Sequence, residues 1–524
     1  MVQSEDVKGM TARVTDNDQR DKPNLDYIFH PRSIAVAGVS AEPARYYAVE
    51  YYISPLLDSG YSGRIYPVHP RGGEVVGLPV YPSVKDIPGP VDHVISCISA
   101  DKTEQLVQDC RDKGVKVVQF FTAGYSETGE PERIDLQNRL VEIARQSGMR
   151  LMGPNCMGIY YPRDGISFCL DYPREPGPIG LICQSGGNTS FIIRGSTVRG
   201  LRFSKAVSFG NACDINECDL LEYLADDPET RVIAAYIEGT GDGRRLRDAV
   251  VKAASTKPLV LLKGGCTEAG VRAAASHTGA LAGADAVWDG LVRQAGAIRV
   301  YSVEEMIDML VALLRLKPPR GRKMCLVGNT GGSSVMATDE MERAGLRLPP
   351  VPKDIGQRLK ELVGIDGSMI RNPIDAATLM GIAGTQLLIR LGDRHWAEVV
   401  REIQATGIDG QWSSFNSMLR DWTELDLAVF HWGFDTVPLQ MRDSVMGTSC
   451  GPMLFAAKEC GLPAAVVFHT MANDNSWRAS LELQQICVEL GLPMFLSMRG
   501  AARAIRRLID FSEAYPEKLA ALQS

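Results

Sequence analysis

The stretch SIAVAGVS, residues 33–40, decides the fold of the first part of the chain, because it is a short apolar run that ends in glycine and serine. Four similar runs follow it: GRIYPVHP at 63–70, HVISCISA at 93–100, VKVVQFFTAG at 115–124 and RLMGPNCMGI at 150–159. Segments long enough for amphipathic helices separate these runs. Apolar runs that alternate with helices are typical of βαβ units, whose parallel sheet is buried on both faces.

Two further series of the same kind follow. One begins with GPIGLICQSGG at 177–187, and the other begins with MCLVGNTGGSS at 324–334 and runs to the end. The segment KPPRGRK at 317–323 is rich in proline and charge, as a linker is. The sequence therefore predicts an α/β protein with parallel sheets in three domains: a Rossmann-like domain at 25–162, a second domain at 163–318 and a third at 323–524.

Charge and cysteine content limit the function. The chain has 524 residues and a formal net charge of -7, so no basic field is available to attract a nucleic-acid backbone, and we expect no nucleic-acid partner. The 12 cysteines lie in aliphatic segments, which is typical of reduced core thiols in a cytoplasmic protein. The first residues lack the apolar region of a secretory signal, and no run of about 18 apolar residues is present. We expect a soluble, cytoplasmic protein with no membrane partner.

One sequence pattern occurs twice. LICQSGGNTS at 181–190 and CLVGNTGGSS at 325–334 both combine an apolar strand, an amide residue, a hydroxyl residue and a Gly-Gly pair before a helix. A helix that begins at such a turn directs free backbone N–H groups and its positive dipole end at an anion. Either turn alone could equally end a strand for packing reasons, but its repetition favours two phosphate sites.

The first domain lacks the fingerprint of an NAD site. The loop after SIAVAGVS has no G-x-G-x-x-G spacing, and the second apolar run ends in His69, Pro70 and Arg71 instead of an acidic residue. A basic group at this position suits a phosphorylated ribose, as in NADP or coenzyme A. Gly38, Ser40 and Arg71 are therefore candidate contacts for such a ligand, unless Arg71 is only a solvated side chain beside a turn.

His277 lies in RAAASHTGALAGAD, residues 272–285, among small residues. A neutral imidazole can act as a nucleophile, and Gly279 and Gly283 would allow its segment to move between sites, as a carried phosphoryl group requires. Glu238, which ends the run VIAAYIEG, could hold the imidazole in one tautomer. The alternatives are an ordinary surface histidine and a solvent-facing or helix-capping glutamate.

Metal and serine-hydrolase sites are not expected. Cys213 and Cys218 form a C-x₄-C pair, but no second pair or nearby histidine completes a zinc site. The sequence QSGG lacks the glycine that precedes the serine in a nucleophile elbow.

Taken together, the motifs resemble those of the NDP-forming acyl-CoA synthetases, typified by ADP-forming acetyl-CoA synthetase, and of their relatives the succinyl-CoA synthetases. The resemblance extends from about Tyr27 to Phe511 and rests on SIAVAGVS, GRIYPVHPR, GLPVYPSVKDIP, FTAGYSETGE, RLMGPNCMGI, QSGG, YIEG, ASHTGALAG, NTGGSS and NPIDAA. It implies a CoA-binding domain, a ligase domain that carries a phosphohistidine loop, and a second, flavodoxin-like ligase domain.

The resemblance also implies roles for individual residues. His277 matches the histidine that is transiently phosphorylated, and Glu238 matches the acid that orients it. The phosphoryl group would be held by two helix N-termini, at Ser185, Gly186 and Gly187 and at Asn329, Thr330, Gly331 and Gly332. Coenzyme A would contact Gly38, Ser40, Arg71, Ser99, Ala123 and Gly124, with Asn155 facing the thioester chemistry.

The implied reaction is carboxylic acid + CoA + ATP to acyl-CoA + ADP + phosphate, through an acyl phosphate and a phosphohistidine. The three domains leave no room for an ATP-grasp unit. Either a separate ATP-grasp beta subunit, which binds ATP or ADP with Mg²⁺ in a hetero-oligomer, supplies it, or the ATP chemistry is lost. The chain departs from its relatives in the first loop, AEPARYYAVEYY, where Tyr46 and Tyr47 replace small residues near the CoA entrance. A non-catalytic CoA-binding scaffold and an NADP-dependent oxidoreductase remain as alternatives.

Overall fold

The apolar runs form three separate sheets in a computed structural model of the chain. It describes residues 25–40, 47–278, 285–328, 331–363, 370–376, 410–433, 450–469 and 474–523, except for the side chains of 275–278 and 474–476. In these ranges the sheets have five, six and five strands, and a hairpin adds two more. With one exception, neighbouring strands within the three sheets run parallel, so the predicted α/β fold with parallel sheets is confirmed.

The first sheet follows the predicted runs. Its strands are β1 (Ser33–Ala37), β2 (Arg64–Val68), β5 (His93–Ser96), β6 (Val117–Phe120) and β7 (Arg150–Met152), in the order β2-β1-β5-β6-β7. The accompanying elements are α1 (Asp26–Phe29), α2 (Ser54–Asp58), α3 (Thr103–Lys113), α4 (Pro131–Ser147) and the hairpin β3 (Gly73–Val75) and β4 (Leu78–Val80). A π-helical turn, Val49–Ile53, precedes α2. Every residue of β1 is buried, as expected for a sheet covered on both faces.

The second sheet contains β8 (Gly158–Tyr160), β9 (Ile179–Cys183), β10 (Phe203–Ser208), β11 (Val232–Ile237), β12 (Leu259–Lys263) and β13 (Ile298–Val300). Its order is β13-β12-β11-β9-β10-β8, and β8 pairs antiparallel with β10. The helices are α5 (Gly186–Val198), α6 (Glu217–Asp226), α7 (Gly243–Thr256), α8 (Glu268–Thr278), α9 (Asp285–Ala295) and α10 (Val303–Arg315). Residues 158–160, which the sequence analysis assigns to the first domain, thus belong to the second sheet.

The third sheet has the order β15-β14-β16-β17-β18. These strands are β14 (Met324–Gly328), β15 (Ile374–Asp375), β16 (Leu427–Gly433), β17 (Ala464–His469) and β18 (Met494–Phe495). The described helices are α11 (Gly331–Arg343), α12 (Lys353–Val363), α13 (Gly410–Asp421), α14 (Gly451–Glu459), α15 (Asp474–Leu490), α16 (Met498–Ala514) and α17 (Pro516–Gln523). None of the helices in the described ranges has the length and apolar character needed to span a bilayer.

A buried arginine joins the second and third sheets. Arg199 follows α5 and is 7% exposed, and its guanidinium donates to the Asp308 carboxylate on α10 at 2.9 Å. The same side chain donates to the Met494 carbonyl of β18 at 3.2 Å. Helices α16 and α17 also pack on α10. The C-terminal part of the chain therefore packs against the core of the second sheet.

The buried His93 of β5 should make the first sheet acid-sensitive. Burial lowers the pKa of His93 to about 4, whereas an unfolded histidine titrates near 6.5. Between these values only the unfolded state takes up the proton, so the free energy of unfolding falls as pH drops. We expect His93 to contribute about 2 kcal/mol to the loss of unfolding free energy between pH 7 and pH 5, measured by urea unfolding, and His93→Gln should reduce the pH dependence by that amount. As control, His30→Gln, at a side chain that is 48% exposed, should leave the pH dependence in place. An unchanged pH dependence in His93→Gln would contradict the assignment.

Candidate active site

The residues predicted to contact CoA lie along the carboxyl edge of the first sheet. Arg71 comes after β2, Gly38 and Ser40 after β1, Ser99 after β5, Ala123 and Gly124 after β6, and Asn155 after β7. Ligands of open parallel sheets bind at this edge. The structure therefore brings the predicted CoA-binding residues to one edge, with Arg71 and Asn155 at opposite ends of it.

Gly38 is required by the backbone. Its φ is +97°, and a Cβ there would lie 2.9 Å from the Cys97 carbonyl oxygen and from Ile98 Cγ2. Its own N–H donates to the Val68 carbonyl at 2.9 Å. Gly38 therefore lets the chain turn closely over β5, and its amide is used within the protein.

Sequence analysis missed Glu127, which organises the loop after β6. Its carboxylate accepts the Gly124 N–H at 2.6 Å and the Tyr125 N–H at 3.1 Å. It also accepts the Asn211 side-chain amide at 2.6 Å, from the loop after β10. Glu127 thus joins the carboxyl edges of the first and second sheets. The Gly124 N–H already donates to its carboxylate.

The loop that contains Asn155 is held from both sides. Asn155 has a φ of +59°, and its N–H donates to the Thr122 carbonyl at 3.2 Å. On the other side, the Asn211 N–H donates to the Pro154 carbonyl at 2.9 Å. Asn155 therefore lies where the first and second sheets meet. This is the position expected of a residue that faces a reaction involving both domains.

The first Gly-Gly turn opens α5 at the carboxyl end of β9. Ser185 caps the helix, because its hydroxyl accepts the Asn188 N–H at 3.3 Å. The first N–H groups of a helix have no acceptor within it. The amides of Gly186 and Gly187 are therefore directed outward with the positive end of the helix dipole, in the geometry of an anion site.

Glu238 lies beside this turn, at the end of the neighbouring strand β11. It is 4% exposed, and its Oε1 accepts the Tyr236 hydroxyl at 3.1 Å. The Gln184 side chain, also missed by sequence analysis, accepts the Glu238 N–H at 2.7 Å and so ties the ends of β9 and β11 together. The structure thus brings Glu238 and the Ser185–Gly187 turn to one edge of the second sheet.

A buried lysine lies behind Glu238. The Lys263 ammonium at the end of β12 donates to the Glu238 carbonyl at 2.7 Å, and burial lowers its pKa. Its Nζ is also 5.5 Å from the centroid of the Trp288 ring. Lys263 therefore fixes the backbone that carries Glu238.

The backbone of His277 lies in the last turn of α8, where the sequence predicts a loop. Its side chain and residues 279–284 lie outside the described residues. Helix α8 packs against the 3₁₀ turn Ser126–Thr128, next to Gly124 on the first sheet. The helix that contains the His277 backbone therefore lies beside the predicted CoA edge.

The second Gly-Gly turn lies in the third sheet. Gly331 and Gly332 begin α11 and are exposed, whereas Asn329 and Thr330 lie outside the described residues. In α11, the Ser334 hydroxyl is 3.1 Å from Nε2 of His431, a fully buried residue of β16. Burial lowers the pKa of His431 to about 3, so this imidazole is neutral beside the helix start.

A cavity of about 540 Å³ lies away from these residues. It is lined by residues that precede β9, β10 and β11, among them Pro178, Arg202 and Arg231, and is therefore at the amino edge of the second sheet. It takes no part in the candidate site.

Two family descriptions match this architecture. Residues 32–162 match the CoA binding domain, and residues 176–313 match the succinyl-CoA ligase like flavodoxin domain. The alpha subunit of ADP-forming acetate–CoA ligase I of Pyrococcus furiosus is 40% identical over 332 residues, which are 62% of this chain and 71% of that subunit. ADP-forming acetate–CoA ligase of Methanocaldococcus jannaschii is 36% identical over 67% of this chain but only 49% of its own length.

A solved structure covers nearly the whole chain. Dinucleotide forming acetyl-coenzyme A synthetase 1 of Ca. Korarchaeum cryptofilum, in complex with phosphate and ADP, superimposes with a TM-score of 0.72 at 28% identity, over 95% of this chain and 98% of that one. The matched domains define the class as acid–thiol ligases with a CoA-binding domain. The chain belongs to the NDP-forming acyl-CoA synthetase family. The resemblance seen in the motifs is confirmed, and the oxidoreductase alternative is set aside.

Proposed function

We propose that this chain is the alpha-type chain of an acyl-CoA synthetase that converts a small carboxylic acid, CoA and ATP into acyl-CoA, ADP and phosphate. The observation that carries the proposal is the placement of Glu238 beside the α5 N-terminus, together with the packing of α8 against the turn Ser126–Thr128 at the carboxyl edge of the first sheet. This arrangement supports the proposal that a phosphoryl acceptor, an anion site and a thiol site meet at one junction.

The phosphoryl group passes from ATP to the acid through a phosphohistidine. A nitrogen of His277 accepts the phosphoryl group from ATP, and ADP leaves. A carboxylate oxygen of the acid then attacks that phosphorus, the N–P bond breaks and an acyl phosphate forms. The CoA sulfur attacks the acyl carbon, phosphate leaves with the electrons of the C–O bond, and the thiol proton passes to phosphate.

Each group in the site has a role in these steps. The Glu238 carboxylate orients the imidazole and stabilises it when it is positively charged. The Gly186 and Gly187 amides bind the phosphoryl oxygens, which a helix N-terminus favours by up to about 2 kcal/mol in a partly buried site. Gly331 and Gly332 at α11 offer a second position of the same type. The proposal also keeps the predicted domains: a CoA-binding domain at 25–162, a ligase domain at 163–318 and a second ligase domain at 323–524.

The proposal assigns ATP and Mg²⁺ to an ATP-grasp beta subunit in a hetero-oligomer. Two facts support a partner: one relative is named as an alpha subunit, and the chain spans only about half of another that is named without a subunit. The corresponding chain from Ca. Korarchaeum cryptofilum was solved with phosphate and ADP, which fits a phosphoryl-transfer cycle.

The reverse half-reaction tests the proposal on this chain alone. The full chain is incubated with labelled phosphate and a panel of acyl-CoA thioesters, and the label is mapped by mass spectrometry. We expect acid-labile phosphate on His277 that depends on acyl-CoA. Binding of CoA without any labelling would favour the non-catalytic scaffold, and label on another residue would contradict the assignment of His277.

A further inference from the structure

Two exposed tyrosines and the partly buried Phe121 form an aromatic surface at the carboxyl edge of the first sheet. Tyr47 and Tyr51 are 36% and 40% exposed, and their ring centroids lie 6.0 Å and 5.8 Å from that of Phe121. We call Tyr47, Tyr51 and Phe121 the aromatic wall.

The aromatic wall stands over the strands nearest Asn155. Phe121 comes directly after β6, and the Tyr47 hydroxyl donates to the Cys97 carbonyl after β5 at 2.9 Å. The carbonyl of Thr122, the residue after Phe121, accepts the Asn155 N–H at 3.2 Å. Arg71 follows β2, three strands from β6 at roughly 4.8 Å per strand. The wall therefore lies near the thioester end of the predicted CoA site and well away from its phosphate end.

Contacts also connect the wall to the α5 anion site. Phe121 packs edge-on against Tyr52 at a centroid distance of 5.6 Å, and the Tyr52 hydroxyl donates to the Met157 carbonyl at 3.2 Å. Met157 packs against the first turn of α5, since a Cβ on Gly186 would lie 2.8 Å from its Cγ. The aromatic wall and the proposed phosphoryl site are thus joined by a short chain of contacts.

The local backbone keeps these rings in place. The π-helical turn Val49–Ile53 widens the helix, and both Tyr51 and Tyr52 pack on Phe121. Single π-helical turns occur frequently at functional sites. The hydroxyl of Tyr47 is held by a carbonyl while part of its ring stays exposed. Exposed rings that are fixed in this way form a preorganised surface for another flat apolar group.

We propose that the aromatic wall binds the acyl group of an aromatic carboxylic acid, so that the chain acts on aryl-substituted acids in preference to acetate. The inference rests on the proposed function. The acyl group must reach both the phosphoryl site at α5 and the thiol near Asn155, and the wall has contacts that lead to each of these positions. Acetate has no group that would cover the exposed rings, whereas an aryl group stacks on them.

Binding of thioesters to the full chain tests the inference. Isothermal titration with CoA, acetyl-CoA and cinnamoyl-CoA should give about tenfold tighter binding of cinnamoyl-CoA than of acetyl-CoA, as expected for one or two aromatic contacts. Tyr51→Ala should remove this preference, and Tyr51→Phe should retain it. An unchanged Kd for CoA in both variants would show that the fold is intact.

Tyr301→Ala is the matched control, because Tyr301 is also an exposed tyrosine, at 56%, but lies after β13 in the second sheet. It should keep the cinnamoyl preference. If CoA binds and cinnamoyl-CoA binds no tighter than acetyl-CoA, the inference is wrong and the proposed function stands. Equal weakening of CoA and cinnamoyl-CoA in Tyr51→Ala would also overturn it, by assigning the wall to CoA itself. Absence of CoA binding would overturn the proposed function and this inference together.

Discussion

Replacing Glu238 by glutamine is expected to slow phosphorylation of the chain roughly 100-fold or more, in line with the loss of a positioned catalytic carboxylate. The amide keeps the size of the side chain but removes the charge that stabilises a positively charged imidazole. The Glu238 backbone would stay in place, because Gln184 and Lys263 hold it through main-chain atoms. Rapid-quench measurement of labelled phosphate with acyl-CoA gives the rate.

Glu217→Gln is the matched control for this experiment. Glu217 is 2% exposed and accepts the Thr240 hydroxyl at 2.6 Å, close to the same edge of the second sheet. His277→Ala sets the rate without the proposed acceptor. The role of Glu238 fails if Glu217→Gln slows labelling as much as Glu238→Gln does, because both effects would then be general.

Gly210→Ala is expected to disrupt the junction between the first two sheets. Gly210 has a φ of +58°, and a Cβ would collide with the Pro154 carbonyl oxygen and lie 2.6 Å from that of Asn155. Backbone atoms cannot move aside as a flexible side chain does. We expect a loss of more than about 4 kcal/mol in the free energy of unfolding, the range of severe core defects, together with loss of CoA binding.

Gly241→Ala provides the comparison for Gly210→Ala. Gly241 lies on the loop after β11, and a Cβ there would meet no atom within 4 Å. This variant should unfold at nearly the wild-type urea concentration and bind CoA normally. A Gly210→Ala protein that does the same would refute the close approach of the two loops.

The strands that the sequence predicted best are those with continuous aliphatic patterns. The runs at 33–40, 177–187 and 324–334 gave β1, β9 and β14 because a strand buried on both faces leaves an unbroken apolar signal. Sequence analysis did not single out β16, although it is central in the third sheet, because His431 and Trp432 interrupt that signal. The short strand β13 was missed as well, since Arg299 occupies the middle of its three residues.

The sequence predicted the local motifs of the candidate site but not the contacts between them. Turn residues such as Ser185 and Gly186 are local and can be read from the sequence. By contrast, the contacts of Glu127 with Asn211 and of Gln184 with Glu238 join residues that are far apart in the chain. Glu127 lies within the motif FTAGYSETGE and Gln184 within QSGG, but the spacing of these motifs does not identify the residues that they contact. Sequence analysis does not predict the helical backbone at 268–278, because runs of small residues are also typical of mobile loops.

Helix α5 is anchored at both ends, and this anchoring bears on which part of the site can change position in the proposed mechanism. Its first turn rests on Met157, and Arg199 at its far end is clamped by Asp308 and by the main chain of β18. A helix held at both ends keeps a fixed position, so in the proposed mechanism the phosphoryl group must be brought to its N-terminus. Under the proposed mechanism the His277 side chain would have to reach this fixed helix end, so a substitution that keeps it away should lower the rate of phosphoryl transfer and leave anion binding at α5 unchanged.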